Sequence, residues 1–140
     1  MTETTIMQTD ILIVGAGPVG MTLALTLGSS AWRTALVDRR PRGSFADDPR
    51  ALALSHGARQ LLEPLGAWNT AAATAIADIH ISQRGGFGRT RITASEHRLP
   101  ALGYVMRYRD LAAALDRQLA AESILDDSEI IAIEKHADSI

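Results

Sequence analysis

The chain has 140 residues, 46% hydrophobic and 21% charged, with a formal net charge of −2 and no cysteine. That length suits one compact domain, and the balance is that of a globular chain rather than a disordered one. No basic face dominates, which argues against general nucleic-acid binding, and without thiols there is no disulfide, thiolate metal site or cysteine nucleophile. A reducing compartment fits.

Met1–Thr9 lacks the basic start and long apolar run of a secretory signal and reads as a short disordered lead. Asp10 to Leu27 is the most apolar stretch, but glycines and Pro18 divide it. It falls short of the roughly 20 uninterrupted apolar residues of a membrane span, and a cytoplasmic protein is expected. Ile11-Leu12-Ile13-Val14 is apolar on both faces, which predicts a buried central strand of a parallel sheet. Val19 to Leu27 has Met, Leu and Ala at helical spacing and stops at Gly28. Thr34–Val37 is a second apolar run, closed by Asp38. Strand, helix and strand make a βαβ unit with a right-handed crossover, so the expected class is α/β with a Rossmann-like parallel sheet.

From Arg39 to Pro49 the chain is rich in Arg, Pro, Gly and Asp, an exposed loop. A helix is predicted from about Ser55 to Leu62, closed by Pro64 and Gly66, with a short turn after Trp68. Ile76–Ser82 and Thr90–Ala94 alternate apolar and polar residues around Gly85-Gly86-Phe87-Gly88, which predicts an antiparallel pair. Arg109–Glu122 reads as a helix with Leu111, Ala112, Leu115 and Leu119 on one stripe. Glu129–Glu134 alternates as a strand would, and Ile130 to Ile140 reads as that strand plus the start of another, with nothing to close the sheet. Residues 10–140 are therefore taken as the N-terminal part of a longer protein.

Gly15-Ala16-Gly17-Pro18-Val19-Gly20 fits GxGxxG in its required context, between a strand and a helix. Gly15 permits the tight turn, Gly17 lets backbone approach a pyrophosphate, and Gly20 lets the helix pack close to the strand. Amide hydrogens and the dipole at the helix start favour phosphate. Asp38, 18 residues beyond Gly20, stands where a ribose-binding carboxylate belongs. The bland alternative, a structural glycine turn followed by an ordinary surface acid, would need these features to coincide by chance. Arg39, Arg40, Arg42 and Arg50 could neutralise a pyrophosphate through forked hydrogen bonds. For Arg40 and Arg42 a solvated loop balanced by Asp38, Asp47 and Asp48 is the favoured reading.

Other clusters carry little. His56, His80, His97 and His136 lack metal-ligand spacing, and Ser55-His56 point apart on a helix. Trp32 and Trp68 read as packing residues.

Asp10 to Arg40 resembles the opening of FAD-dependent monooxygenases related to para-hydroxybenzoate hydroxylase. Asp48-Pro49-Arg50-Ala51-Leu52-Ala53-Leu54-Ser55, Leu61 to Trp68, Ile79 to Gly85 with Phe87-Gly88, and Leu99 to Val105 are similar to the ubiquinone-biosynthesis hydroxylases of the UbiH (octaprenyl-methoxyphenol hydroxylase) type. The resemblance implies FAD across the glycine turn, NADPH as electron donor, and oxygen transfer to an electron-rich polyprenyl phenol. It further implies that Arg50 contacts the phosphate–ribose region and Arg109 the flavin side of FAD. The substrate implies proximity to the inner membrane, and the resemblance implies a ubiquinone-biosynthesis complex as partner. Asp38 replaces the Glu of many relatives, Ser29-Ser30-Ala31 replaces a common glycine, and Ser123–Asp127 is short. The family's second FAD motif and its substrate-binding sheet are absent, so this chain is expected to hold the adenosine half of FAD without hydroxylating anything itself. Rival readings are another FAD oxidoreductase and a non-catalytic nucleotide-binding module. An NAD dehydrogenase is disfavoured by the antiparallel signals after Thr74.

Overall fold

A computed structural model describes residues 7–135, so most of the expected disordered lead and the last few residues of the chain lie outside the description. The strands are β1 (Ile11–Val14), β2 (Thr34–Val37), β3 (Ala51–Ser55), β4 (Thr74–Ile76), β5 (Asp78–Ser82), β6 (Arg89–Thr93), β7 (Gly103–Arg107) and β8 (Ile124–Leu125). The α-helices are α1 (Pro18–Leu27), α2 (His56–Leu62) and α3 (Tyr108–Asp116). Two compact units result: Met1–Ser44 with Leu119–Ile140, and Phe45–Gln118.

In the first unit α1 carries the chain from β1 to a parallel β2, in register from Ile11 opposite Thr34 to Val14 opposite Val37. The predicted βαβ unit is present. β8 joins the other side of β2, also parallel, giving the order β1-β2-β8. Expected burial of β1 as a central strand is corrected here. β2 is the central strand, with Ala35, Leu36 and Val37 buried, whereas Leu12 and Val14 of β1 are 47% and 67% exposed. A strand's place in the sheet decides its burial, and four apolar residues in a row cannot say which neighbours it has. Asp10 ties the two strand starts together, its carboxylate accepting from the Arg33 backbone N–H at 2.9 Å and from the guanidinium at 2.8 Å.

The expected strand at Glu129–Glu134 is also corrected. The third strand is the two-residue β8, and residues 129–135 form no strand. Asp127 has φ +49°, a left-handed conformation that turns the chain out of the sheet after Leu125. Beyond it Ile131 and Ile133 stand exposed, so their alternation has no sheet partner.

In the second unit β7 lies between β3 and β4, antiparallel to both. β5 and β6 form the predicted hairpin, with Ile79 opposite Ile92. No local sequence signal marks β3 or β7 as strands. Ala51-Leu52-Ala53-Leu54 is made of helix formers, and pairing with β7 overrides that local preference. The close pairing needs Gly103, since a Cβ there would lie 2.6 Å from the Leu54 carbonyl oxygen. Ser55 then ends β3 and starts α2, its hydroxyl accepting from the Ala58 N–H at 3.1 Å. α3 is shorter than predicted, ending at Asp116, and buries Tyr108, Leu111, Ala112, Ala114 and Leu115. Met106 and Leu115 are the largest fully buried side chains of this unit.

Candidate dinucleotide site

The glycine turn joins β1 to α1 within the first unit. The Gly15 N–H donates to the Val37 carbonyl at 2.7 Å, extending the β1–β2 ladder by one bond. Gly15 then takes φ +106°, a backbone conformation that side-chain-bearing residues rarely adopt. Gly17 is the extended N-cap, Pro18 opens α1, and the Met21 N–H closes the first helical bond on the Gly17 carbonyl at 2.9 Å. No side chain caps this helix and no acid stands in its first turn. The partial positive end of α1 thus has no side-chain anion of its own. Gly20 packs so closely on the turn that a Cβ would meet the Gly15 carbonyl.

Asp38 follows β2 and turns toward the glycine turn. Its Oδ2 accepts from the Ala16 N–H at 2.8 Å, and its Oδ1 accepts from the Arg40 backbone N–H at 2.8 Å. The Arg40 guanidinium adds contacts of 3.2 Å to Oδ1 and 3.4 Å to Oδ2. Partial burial pushes the Asp38 carboxyl up, but hydrogen bonds from the Arg40 side chain, the Arg40 backbone and the Ala16 amide, with the Arg40 charge, outweigh it and leave the carboxyl below its usual range. Asp38 is therefore an anion at neutral pH, able to accept from hydroxyls and repelling phosphate.

A cleft of about 400 Å³ opens beside this carboxylate, lined by Val14, Gly15, Val37 and Arg39 from the βαβ unit and by Ser128, Glu129 and Ile130. The structure thus brings together the predicted Gly15–Gly20 turn, Asp38 and Arg39. Sequence reasoning missed the wall at residues 128–130, where the Ser128 N–H donates to the Asp38 carbonyl at 3.0 Å. No motif marks those residues; only the β2–β8 pairing, more than eighty residues apart in the chain, brings them there.

Arg40 and Arg42 have partners, though not all of those expected. Arg40 pairs with Asp38, whereas the Arg42 backbone N–H reaches Asp126 at 2.8 Å and its guanidinium the Leu119 carbonyl at 3.1 Å. Arg50 and Arg109 belong to the second unit. Arg50 pairs with Asp48 at 2.6 Å and lies 4.4 Å from the centroid of the Tyr108 ring, while Arg109 is exposed near the start of α3. Trp68 packs edge-on to Tyr104 at 5.0 Å, but Trp32 is 60% exposed, which corrects its expected packing role. Trp32 sits in the turn leading into β2, where none of the described elements covers it.

A model of the FAD binding domain matches residues 8–139. The chain belongs to this FAD-binding domain family. Its matches include "Ubiquinone hydroxylase UbiM" of Neisseria meningitidis, 36% identical over 66 residues, covering 45% of this chain and 14% of that protein. Another is a 3-(3-hydroxy-phenyl)propionate/3-hydroxycinnamic acid hydroxylase of Comamonas testosteroni, 42% identical over 57 residues, covering 41% of this chain and 9% of that protein. Among solved structures, the flavin-dependent monooxygenase PieE in complex with FAD and substrate superposes with a TM-score of 0.68 at 25% identity, covering 91% of this chain and 25% of that one. The p-nitrophenol 4-monooxygenase PnpA of Pseudomonas putida shares the fold, with a TM-score of 0.69 at 18% identity over 91% of this chain and 34% of that one. The chain therefore spans a small part of the length of the relatives it matches.

The FAD-binding domain's own residues fit the ADP half of the cofactor. The Gly15 turn and the uncapped α1 suit a diphosphate, the Asp38 carboxylate suits a ribose, and the cleft between β2 and residues 128–130 offers Val14, Val37 and Ile130 to a flat base.

Proposed function

We propose that this chain supplies the ADP-moiety site of an FAD- and NAD(P)H-dependent monooxygenase that hydroxylates an aromatic ring, with a polyprenyl phenol of ubiquinone biosynthesis as substrate. The observation that carries the cofactor reading is the 2.8 Å hydrogen bond from the Ala16 N–H to Asp38, which sets the ribose-binding acid against the phosphate-binding turn. Gly17 and the start of α1 hold the diphosphate through free backbone amides and the helix dipole, while the Ala16 N–H stays on Asp38. Asp38 fixes the ribose, and Arg39 flanks it at the cleft. Arg50 and Arg109 contact the phosphate–ribose and flavin regions in this reading, which rests for those two on the family resemblance alone. The bound flavin supplies the redox and oxygen-transfer chemistry, and the protein orients it and limits water.

The match to a ubiquinone hydroxylase favours a substrate from ubiquinone biosynthesis. The polyprenyl chain, a cytoplasmic protein working close to the inner-membrane surface and a ubiquinone-biosynthesis complex as partner are part of the same proposal and rest on the family resemblance alone. Among the described residues no helix is long and apolar enough to cross a membrane. A second reading has a specific ground. Several matched relatives are 3-(3-hydroxy-phenyl)propionate hydroxylases, which favours a small phenolic acid as the alternative substrate.

Two measurements test this. Titration of the chain with ADP and with FAD should show saturable binding that Asp38→Ala weakens at least tenfold, as loss of a charge-assisted hydrogen bond of about 1.5–3 kcal/mol requires. Absence of binding by the native chain ends the cofactor reading. The complete gene product, supplied with NADPH or NADH, should then consume oxygen with a polyprenyl phenol. Turnover of 3-(3-hydroxyphenyl)propionate instead selects the second reading.

A further inference from the structure

The geometry points to Arg40 as a gate over the ribose subsite, a guanidinium that must leave Asp38 before a sugar diol can bind there. This rests on the cofactor reading above and goes beyond it.

A carboxylate offers about four lone-pair directions. At Asp38 the four are met by the Arg40 backbone N–H and Nε on Oδ1, and by the Ala16 N–H and the second Arg40 guanidinium nitrogen on Oδ2. The Asp38 side chain accordingly keeps only 10% of its surface exposed, while that of Arg40 is 48% exposed. A ribose brings two hydroxyl donors, so two of the four present donors must give way.

The two backbone donors are fixed. Ser128 N–H donates to the Asp38 carbonyl at 3.0 Å, Asp127 N–H to the Arg40 carbonyl at 3.3 Å, and Gly15 N–H to the Val37 carbonyl at 2.7 Å, so the main chain on both sides is pinned. The guanidinium sits at the end of a flexible, half-exposed stem that can swing into solvent. Its two contacts with Asp38 are also the two longest of that carboxylate's four, at 3.2 and 3.4 Å. Exchange is one for one: two guanidinium donors leave and two hydroxyls arrive. The carboxylate stays satisfied throughout, so the gate opens without stranding a buried charge. A ligand without a vicinal diol gains nothing from that exchange, and Arg40 thereby sharpens selection for an intact ribose.

The test uses the 140-residue chain and its Arg40→Met variant, which keeps the stem and removes the charge. Adenosine and 2′,3′-dideoxyadenosine are titrated by NMR in low and high salt, with ADP as the reference for the site and far-UV circular dichroism as the check on folding. Removing this ion pair, half-exposed on its Arg40 side, should raise adenosine affinity about twofold to fivefold. Dideoxyadenosine affinity should be the same in both proteins. Salt should strengthen adenosine binding to the native chain, by loosening the pair, and leave the variant unchanged. Equal adenosine affinity in two proteins that both bind ADP overturns the gate and leaves the cofactor site standing. Weaker adenosine binding by the variant also overturns it, making Arg40 a ligand contact. If neither protein binds ADP, the cofactor reading fails and the gate with it.

Discussion

The substitution Gly20→Ala tests the packing on which the whole site depends. An added Cβ would be driven into the Gly15 carbonyl oxygen, with the carbon of that carbonyl at 3.2 Å and Ile13 Cγ2 at 3.4 Å. The obstacle is backbone that also carries the Gly15–Val37 hydrogen bond, so no side-chain rotation relieves it. Either the turn or α1 must shift. Overpacking costs about 1–3 kcal/mol, and a backbone obstacle places this case near the upper end. For a domain of this size that is a fall in Tm on the order of 10 °C. Moving the turn also moves the Ala16 N–H away from Asp38, so ADP affinity should fall about tenfold or more. Gly57→Ala supplies the opposite sign: in α2 its new Cβ meets nothing nearer than Ser55 Oγ at 3.7 Å, and it should stabilise by about 0.5 kcal/mol. Differential scanning fluorimetry reads the stabilities, and calorimetric titration reads the ADP binding. A Gly20→Ala protein that melts with the native chain and binds ADP equally well would refute the close-packed turn.

Two further outcomes follow from single contacts. Ser55→Ala removes the hydroxyl that accepts from the Ala58 N–H and should cost about 1 kcal/mol in urea unfolding, with Ser55→Asp restoring most of it. Hydrogen bonds from the Arg33 side chain and backbone hold the Asp10 carboxyl at about 2, below its ordinary 3.8. A depressed carboxyl contributes stability above its unfolded value and loses it as pH falls through the folded one. The Tm difference between the native chain and Asp10→Asn should therefore be full at pH 6 and shrink between about pH 4 and pH 2; a difference independent of pH would contradict the Asp10–Arg33 pairing.

The sequence by itself determined the βαβ unit, because every feature that defines it is local. A β-branched run, glycines at fixed offsets, a helical run from Val19 and an acid closing the next strand are each marked by residues only a few positions apart, although Asp38 itself bonds to Ala16, 22 residues away. The hairpin of β5 and β6 was legible for the same reason, since its strands alternate and a glycine turn joins them. The glycine turn and the charge of Asp38 beside it were legible because backbone conformation and charge follow directly from residue type.

Tertiary structure decided what depends on distant partners. β3 reads locally as helix formers and becomes a strand because β7 pairs with it at a glycine that permits close approach. β8 is two residues long and takes its place only from β2, and it is β8 that delivers Ser128, Glu129 and Ile130 to the cleft. The alternating residues 129–134 look like a strand to any local rule, yet Asp127 turns them away from the sheet. Arg40 shows the same limit at the scale of one side chain: its charge was visible, but its position over Asp38 depends on a main chain pinned by residues 127 and 128.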